Sequence, residues 1–221
     1  MIKILKFILG IWLALVIAGS FSYAPAAMGL GDLSRIIYFH VPLAWVGVLA
    51  YLVSMIYSIR FLKNGKLKYD LNAAANAEIG LVFTILATIT GAIFARYAWG
   101  MFWNWDPRQT SIFVLLLIYS AYLVLRSSVE NRERRARLSS VFSIIAFISV
   151  PFLVFIIPRV YATLHPDPII SLDSGFKMDQ TMFMVFLAAL AGFTGIYLWI
   201  ANLTARMINL EAKEKGEPDN E

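Results

Sequence analysis

The sequence predicts an all-α integral membrane protein: a six-helix bundle with a short tryptophan-rich segment at its outer face. Three observations predict it. Of the 221 residues, 60% are hydrophobic and 15% charged, and the mean hydropathy is +0.71, far above that of a soluble domain. Six apolar runs approach or exceed the length that crosses about 30 Å of hydrocarbon as helix. The nineteen lysines and arginines gather in alternate connections between those runs, which is the signature of membrane topology.

The runs cover 4–23, 41–62, 79–98, 111–126, 138–157 and 182–203. None alternates residue by residue, so helices are expected and not the strands of a barrel. The first run follows Lys3 and Lys6 and ends in Ser22-Tyr23-Ala24-Pro25-Ala26-Ala27. That pattern also reads as a signal peptide cleaved within residues 1–27; the length of the run favours a retained span. The second run follows His40 and opens with Val41-Pro42, and a proline near the first helical position is compatible with a helix starting there. The fourth, the shortest, follows Pro107. After the sixth come charged residues with Gly216 and Pro218. The expected organisation is a membrane domain over 1–205 and a charged cytoplasmic tail over 206–221.

With six spans, both termini share one side with the second-to-third and fourth-to-fifth connections. That side carries fourteen of the nineteen cations, so it is cytoplasmic and the termini lie inside. The net charge of +5 is thus a topology signal, and no nucleic-acid partner is expected. The chain has no cysteine, which excludes disulfides and thiolate ligands. It has no Walker loop, nucleophile elbow or dinucleotide fingerprint, so it is not expected to be an enzyme or to drive transport alone. Charge inside the predicted spans is almost absent, which argues against an ion or proton pathway.

The segment Trp99-Gly100-Met101-Phe102-Trp103-Asn104-Trp105-Asp106-Pro107 holds three of the six tryptophans. The topology puts it outside, together with the only two histidines, His40 and His165. His165 precedes Pro166-Asp167-Pro168, which cannot continue a helix. Were the aromatic segment helical, Trp99 and Trp103 would share a face, widened by Phe102 and Trp105. A large flat apolar ligand suits such a platform. Haem fits, with two imidazoles as axial ligands and Arg35, Arg96, Arg108, Arg159 or Lys177 as partners for its propionates. The plain alternative is an aromatic belt at the membrane boundary with rim histidines that only cap or meet solvent, and composition alone favours it.

Trp99 to Ser111, WGMFWNWDPRQTS, resembles the tryptophan-rich signature of the haem-handling proteins of cytochrome c biogenesis. Tyr38-Phe39-His40-Val41-Pro42 is similar to the first external histidine motif of the haem exporter protein C (CcmC) branch, and His165 falls where that branch has its second. The resemblance covers roughly residues 35–203. It implies that haem b is bound non-covalently at the periplasmic or extracellular face of the cell's inner membrane. His40 and His165 would lie on the iron, with Trp99, Gly100, Phe102, Trp103, Trp105, Asp106 and Arg108 forming the cofactor-binding segment. Asp106 would be a structural cap or take part in haem transfer. The implied partners are a periplasmic haem chaperone (CcmE), a small single-span protein (CcmD) and an ATP-binding-cassette pair (CcmA and CcmB), besides membrane lipid. Two departures stand out. The branch often has a further tryptophan where Phe102 stands, and residues 106–110 resemble the CcsA synthase branch. That branch is longer and carries a second histidine pair, for which no histidine remains. The alternatives are a CcsA-like cytochrome c synthase component, a bis-histidine membrane cytochrome b in quinone-linked electron transfer, and a permease subunit whose tryptophans are only a belt.

Overall fold

The computed structural model describes residues 3–165, 170–171, 175–176 and 178–214. Helix α1 spans Lys3–Ser22. A 3-10 turn, Asp32–Ile36, feeds directly into α2, Ile37–Asn64. Helix α3 spans Leu67–Trp99 and α4 Pro107–Ser128. Helix α5, Arg132–Pro151, continues through a π-helical turn, Phe152–Ile156, into the single turn α6, Ile157–Val160. A two-residue antiparallel ladder pairs β1, Ile170–Ser171, with β2, Gly175–Phe176. Helix α7, Gln180–Glu214, closes the described chain. Six of these helical stretches are long and apolar enough to cross a membrane, so the predicted class and span count hold.

The helices overrun the apolar windows, for local reasons. Helix α2 begins at Ile37, four residues before the expected start, because the 3-10 turn already sets the helical direction. Pro42 therefore lies inside the helix, where it removes one N–H, and His40 rides on the first turn instead of standing at the entrance. Helix α3 begins twelve residues early. Its first turns hold Asp70, Asn72, Asn76 and Glu78, which depress hydropathy, but Ala73, Ala74, Ala75 and Ala77 carry the helix. Helix α7 runs past residue 205, the expected end of the membrane domain.

Helix α2 is the hub. Its Tyr51 belongs to a core with Leu115, Tyr119, Tyr122, Ala146 and Val150. Its Tyr38 packs with Val16, Met182 and Phe186 of α1 and α7. Its Leu43, Val46 and Ala50 meet Ile79, Phe83 and Tyr197. Tyr51 stacks on Tyr119 with ring centroids 3.4 Å apart. At the opposite end of the bundle from the tryptophan-rich segment, Arg126 grips Asp70 with two hydrogen bonds of 2.6 and 3.0 Å. The side chains are only 12% and 2% exposed. This buried pair lies at the ends of the predicted spans and not within them: Asp70 precedes the apolar window from which the third span is read, and Arg126 ends the fourth. The bidentate geometry offsets the cost of taking both charges out of water.

Candidate functional site

Helix α3 stops at Trp99 because Gly100 takes a left-handed φ of 84° and donates its N–H to the Arg96 carbonyl, a backbone position that suits glycine. Residues 101–106 are therefore a loop, and Trp99 and Trp103 do not share a helical face; the helical reading of this segment is corrected. Gln109, buried in α4, ties the loop down. Its Oε1 accepts from the Asn104 N–H at 2.7 Å, and its Nε2 donates to the Phe102 carbonyl at 3.4 Å. Trp105 sits at φ 54°, an uncommon place for a bulky residue, with its carbonyl accepting from Thr110 Oγ1 at 3.2 Å.

The aromatic rings divide into two groups. Trp103 meets Trp105 and Phe113 edge-on, at centroid distances of 5.8 and 6.2 Å. Trp99 instead meets Phe94 at 5.4 Å and the His165 imidazole at 4.8 Å. Phe102 lies beneath the Arg96 guanidinium. Trp105 and Phe102 remain 68% and 58% exposed, so the loop presents an open apolar surface.

Asp106 joins the tryptophan-rich segment to residues 163–165. As the N-cap of α4 it accepts the Arg108 N–H on Oδ1 at 2.9 Å, with Pro107 at the first helical position. The same Oδ1 lies 2.9 Å from His165 Nδ1. Its Oδ2 accepts from Thr163 Oγ1 and from the Leu164 N–H, both at 2.7 Å. Burial works to raise the Asp106 pKa, but these hydrogen bonds and the nearby His165 hold it below the ordinary carboxylate value. Burial pushes the His165 imidazole down to about 4, against the Asp106 charge that pulls it up; the Arg108 and His40 charges add to the lowering. At neutral pH the pair is thus a carboxylate facing a neutral imidazole.

The hydrogen-bond pattern fixes which nitrogen carries the proton. A carboxylate can only accept, so His165 Nδ1 is the donor. Thr163 has already given its hydroxyl proton to Asp106, so its Oγ1, 3.3 Å from Nδ1, also accepts. The Nε2 of His165 is left with its lone pair. His40 obeys the same logic. Its Nδ1 lies 3.0 Å from the Ala87 carbonyl and 3.1 Å from Thr90 Oγ1, and Thr90 directs its own proton to helix carbonyls. His40 Nδ1 therefore carries the hydrogen and Nε2 the lone pair. Gly91 makes the seat possible: a Cβ there would stand 2.8 Å from His40 Cε1.

His40, on α2, and His165, after α6, each have a ring partner on the last turns of α3: Gly91 for His40 and Trp99 for His165. Several outer cations proposed for propionates have other employment. Arg35 bonds Asp32 and the Ser20 and Ala24 carbonyls, which locks the end of α1. Arg96 donates to the Gly100 carbonyl and Arg159 to the Phe155 carbonyl. Lys177 and residues 166–168 lie outside the described residues. The sequence reading missed Gly91, Thr90 and Thr163. A glycine inside the third span, near its outer end, was the one available signal for a side chain packed against it.

Two imidazoles, each held at Nδ1 by an acceptor, have Nε2 as the nitrogen left to coordinate, a donor type that suits the axial positions of a haem iron. The fold is that of a polytopic membrane protein with six candidate spans. The chain belongs to the haem exporter protein C family, whose family model matches residues 1–218. It is 31% identical over 175 residues to "Heme exporter protein C" of Bradyrhizobium diazoefficiens, covering 79% of this chain and 66% of that protein. It is 30% identical over 192 residues to "Heme exporter protein C" of Rhodobacter capsulatus, covering 84% and 77%. A "Putative cytochrome c biosynthesis ccmC-like mitochondrial protein" of Arabidopsis thaliana is 31% identical over 215 residues, covering 96% and 80%.

Proposed function

We propose that this protein handles haem during cytochrome c maturation, holding haem b non-covalently at its periplasmic face and presenting it to a haem chaperone of the CcmE type. The observation that carries the reading is the paired Nδ1–H anchorage of His40 and His165, which leaves one lone pair on each for the iron. Trp99, backed by Phe94, would pack beside the His165 ligand. The exposed Phe102 and Trp105 would contribute apolar surface towards the cargo or the partner. Haem is the cargo, and the chain's own part is to orient it, exclude water and leave an edge open. Energy would come from an ATP-binding-cassette pair (CcmA and CcmB), with a small single-span protein (CcmD) as a further subunit; the family name is the support for these partners.

The test is the optical spectrum of the purified protein. The intact chain should show a six-coordinate low-spin haem, and His40→Ala and His165→Ala should each give a five-coordinate or high-spin one. A low-spin spectrum unchanged in either variant removes that residue from the iron. The topology rests on the cation distribution. Cysteines placed at Asn64 and Asn131 should be shielded from an impermeant thiol reagent in intact cells, while one at Asn104 is labelled; the reverse pattern would invert the orientation.

A further inference from the structure

We infer that Asp106 is a positioning residue: it sets the ring orientation and tautomer of His165, making that imidazole a ligand seat before any cargo arrives. The inference rests on the reading of His165 as an iron ligand, and it concerns the haem-free protein as much as the loaded one.

Asp106 is 4% exposed and receives four donors from two distant stretches of chain. The Arg108 N–H belongs to the signature side. Thr163 Oγ1, the Leu164 N–H and His165 Nδ1 come from residues more than fifty positions further on. A helix N-cap needs only the first of these. The other three close the second histidine loop onto the first turn of α4. Thr163 completes the device from within the loop, because its Oγ1 also accepts the His165 backbone N–H at 3.2 Å. Trp99 meets the same imidazole with ring centroids 4.8 Å apart and planes inclined by 65°. The imidazole is thus held at one nitrogen by a charged acceptor and packed against an indole. A carboxylate behind a ligating imidazole orients it and raises its basicity, and loss of such a partner commonly weakens metal binding about 10- to 100-fold.

Asparagine at 106 cannot reproduce this, whichever way its amide turns. With the amide oxygen towards Thr163 and Leu164, the NH2 faces His165 Nδ1 and forces the proton to Nε2, which removes the lone pair. With the oxygen towards Arg108 and His165, the NH2 opposes the Leu164 N–H and pushes the loop away.

The experiment uses the full-length chain in detergent with no added histidines, labelled with 15N-histidine, so that only two imidazoles report. Without haem, His165 of the unaltered protein should show the Nδ1–H tautomer; an Nε2–H tautomer there overturns the proposal whatever any variant does. Asp106→Asn should move His165 to Nε2–H or to a mixture of tautomers, leave His40 unchanged, and lower haem retention about 10- to 100-fold. Asp106→Asn with unchanged tautomer and haem retention within twofold overturns it. Should Asp106→Asn fail to fold, the unaltered protein's tautomer still decides, together with Thr163→Val, which removes one acceptor at Nδ1 and should broaden the His165 signals. His165→Gly separates the two ideas. If it leaves the iron spectrum unaltered, the ligand reading fails. If it alters the spectrum while Asp106→Asn does nothing, only the positioning role fails.

Discussion

The two histidine seats have the same hydrogen-bond plan but are built from different materials. His40 stands on α2 against α3, inside the packed bundle. Its Nδ1 meets a neutral backbone carbonyl and a threonine, and its ring rests on the bare backbone at Gly91. His165 stands in a connection, beyond a single-turn helix. Its Nδ1 meets an ionised carboxylate and a threonine, and its ring touches Trp99. Steric fit between two long helices defines the first seat; a cluster of charge-assisted hydrogen bonds defines the second. Helix–helix packing resists displacement because interiors are close-packed. A hydrogen-bonded loop can open locally at a smaller cost. The difference teaches that one position can serve as a fixed support while the other is adjustable.

The contrast can be broken most forcefully at Gly91. Gly91→Leu puts a branched side chain where even a Cβ would stand 2.8 Å from the His40 ring. Overpacking of this kind typically costs about 1–3 kcal/mol, and the ring must leave its seat. The haem spectrum should match that of His40→Ala, while the 15N signals of His165 stay in place. If His165 moves as well, the seats are mechanically coupled and the distinction falls. The smallest effect is expected at Thr90. Thr90→Val removes one of two acceptors at His40 Nδ1 but leaves the Ala87 carbonyl, a loss of about 0.5–1.5 kcal/mol. The low-spin spectrum should persist, with haem retention reduced by no more than about tenfold. A change to high spin would mean that the threonine, and not the carbonyl, holds the tautomer.

The six spans were legible because each carries its own apolar run, a property of neighbouring residues. The histidines could be singled out because the sequence has only two. Their anchors could not. Asp106 finds His165 across 59 positions, through a loop geometry that no local pattern encodes, and Asp106 looked equally like a plain helix cap. Gly91 is one of thirteen glycines, and only the packing of α2 on α3 singles it out. The tryptophan segment misled for a different reason. The spacing of Trp99 and Trp103 matches one helical turn, but Gly100 between them ends the helix. Asp70 escaped notice because the window that finds a span discards the polar turns at its end, which is where Arg126 closes on it.

The π-helical turn between α5 and α6 has its own consequence for chain length. A π-turn takes one extra residue into a helix while the axis continues, and each residue in an α-helix advances the chain about 100° around that axis. The chain therefore leaves α6 towards Thr163 and His165 on a different side from the one an unbroken helix would give. One residue within Phe152–Ile156 thus acts as a rotational spacer, a phase adjustment made inside the membrane that decides which way the loop above it faces. A single-residue deletion there would regularise the helix, turn the exit by about 100°, and point Thr163 away from Asp106 without altering any residue of the site.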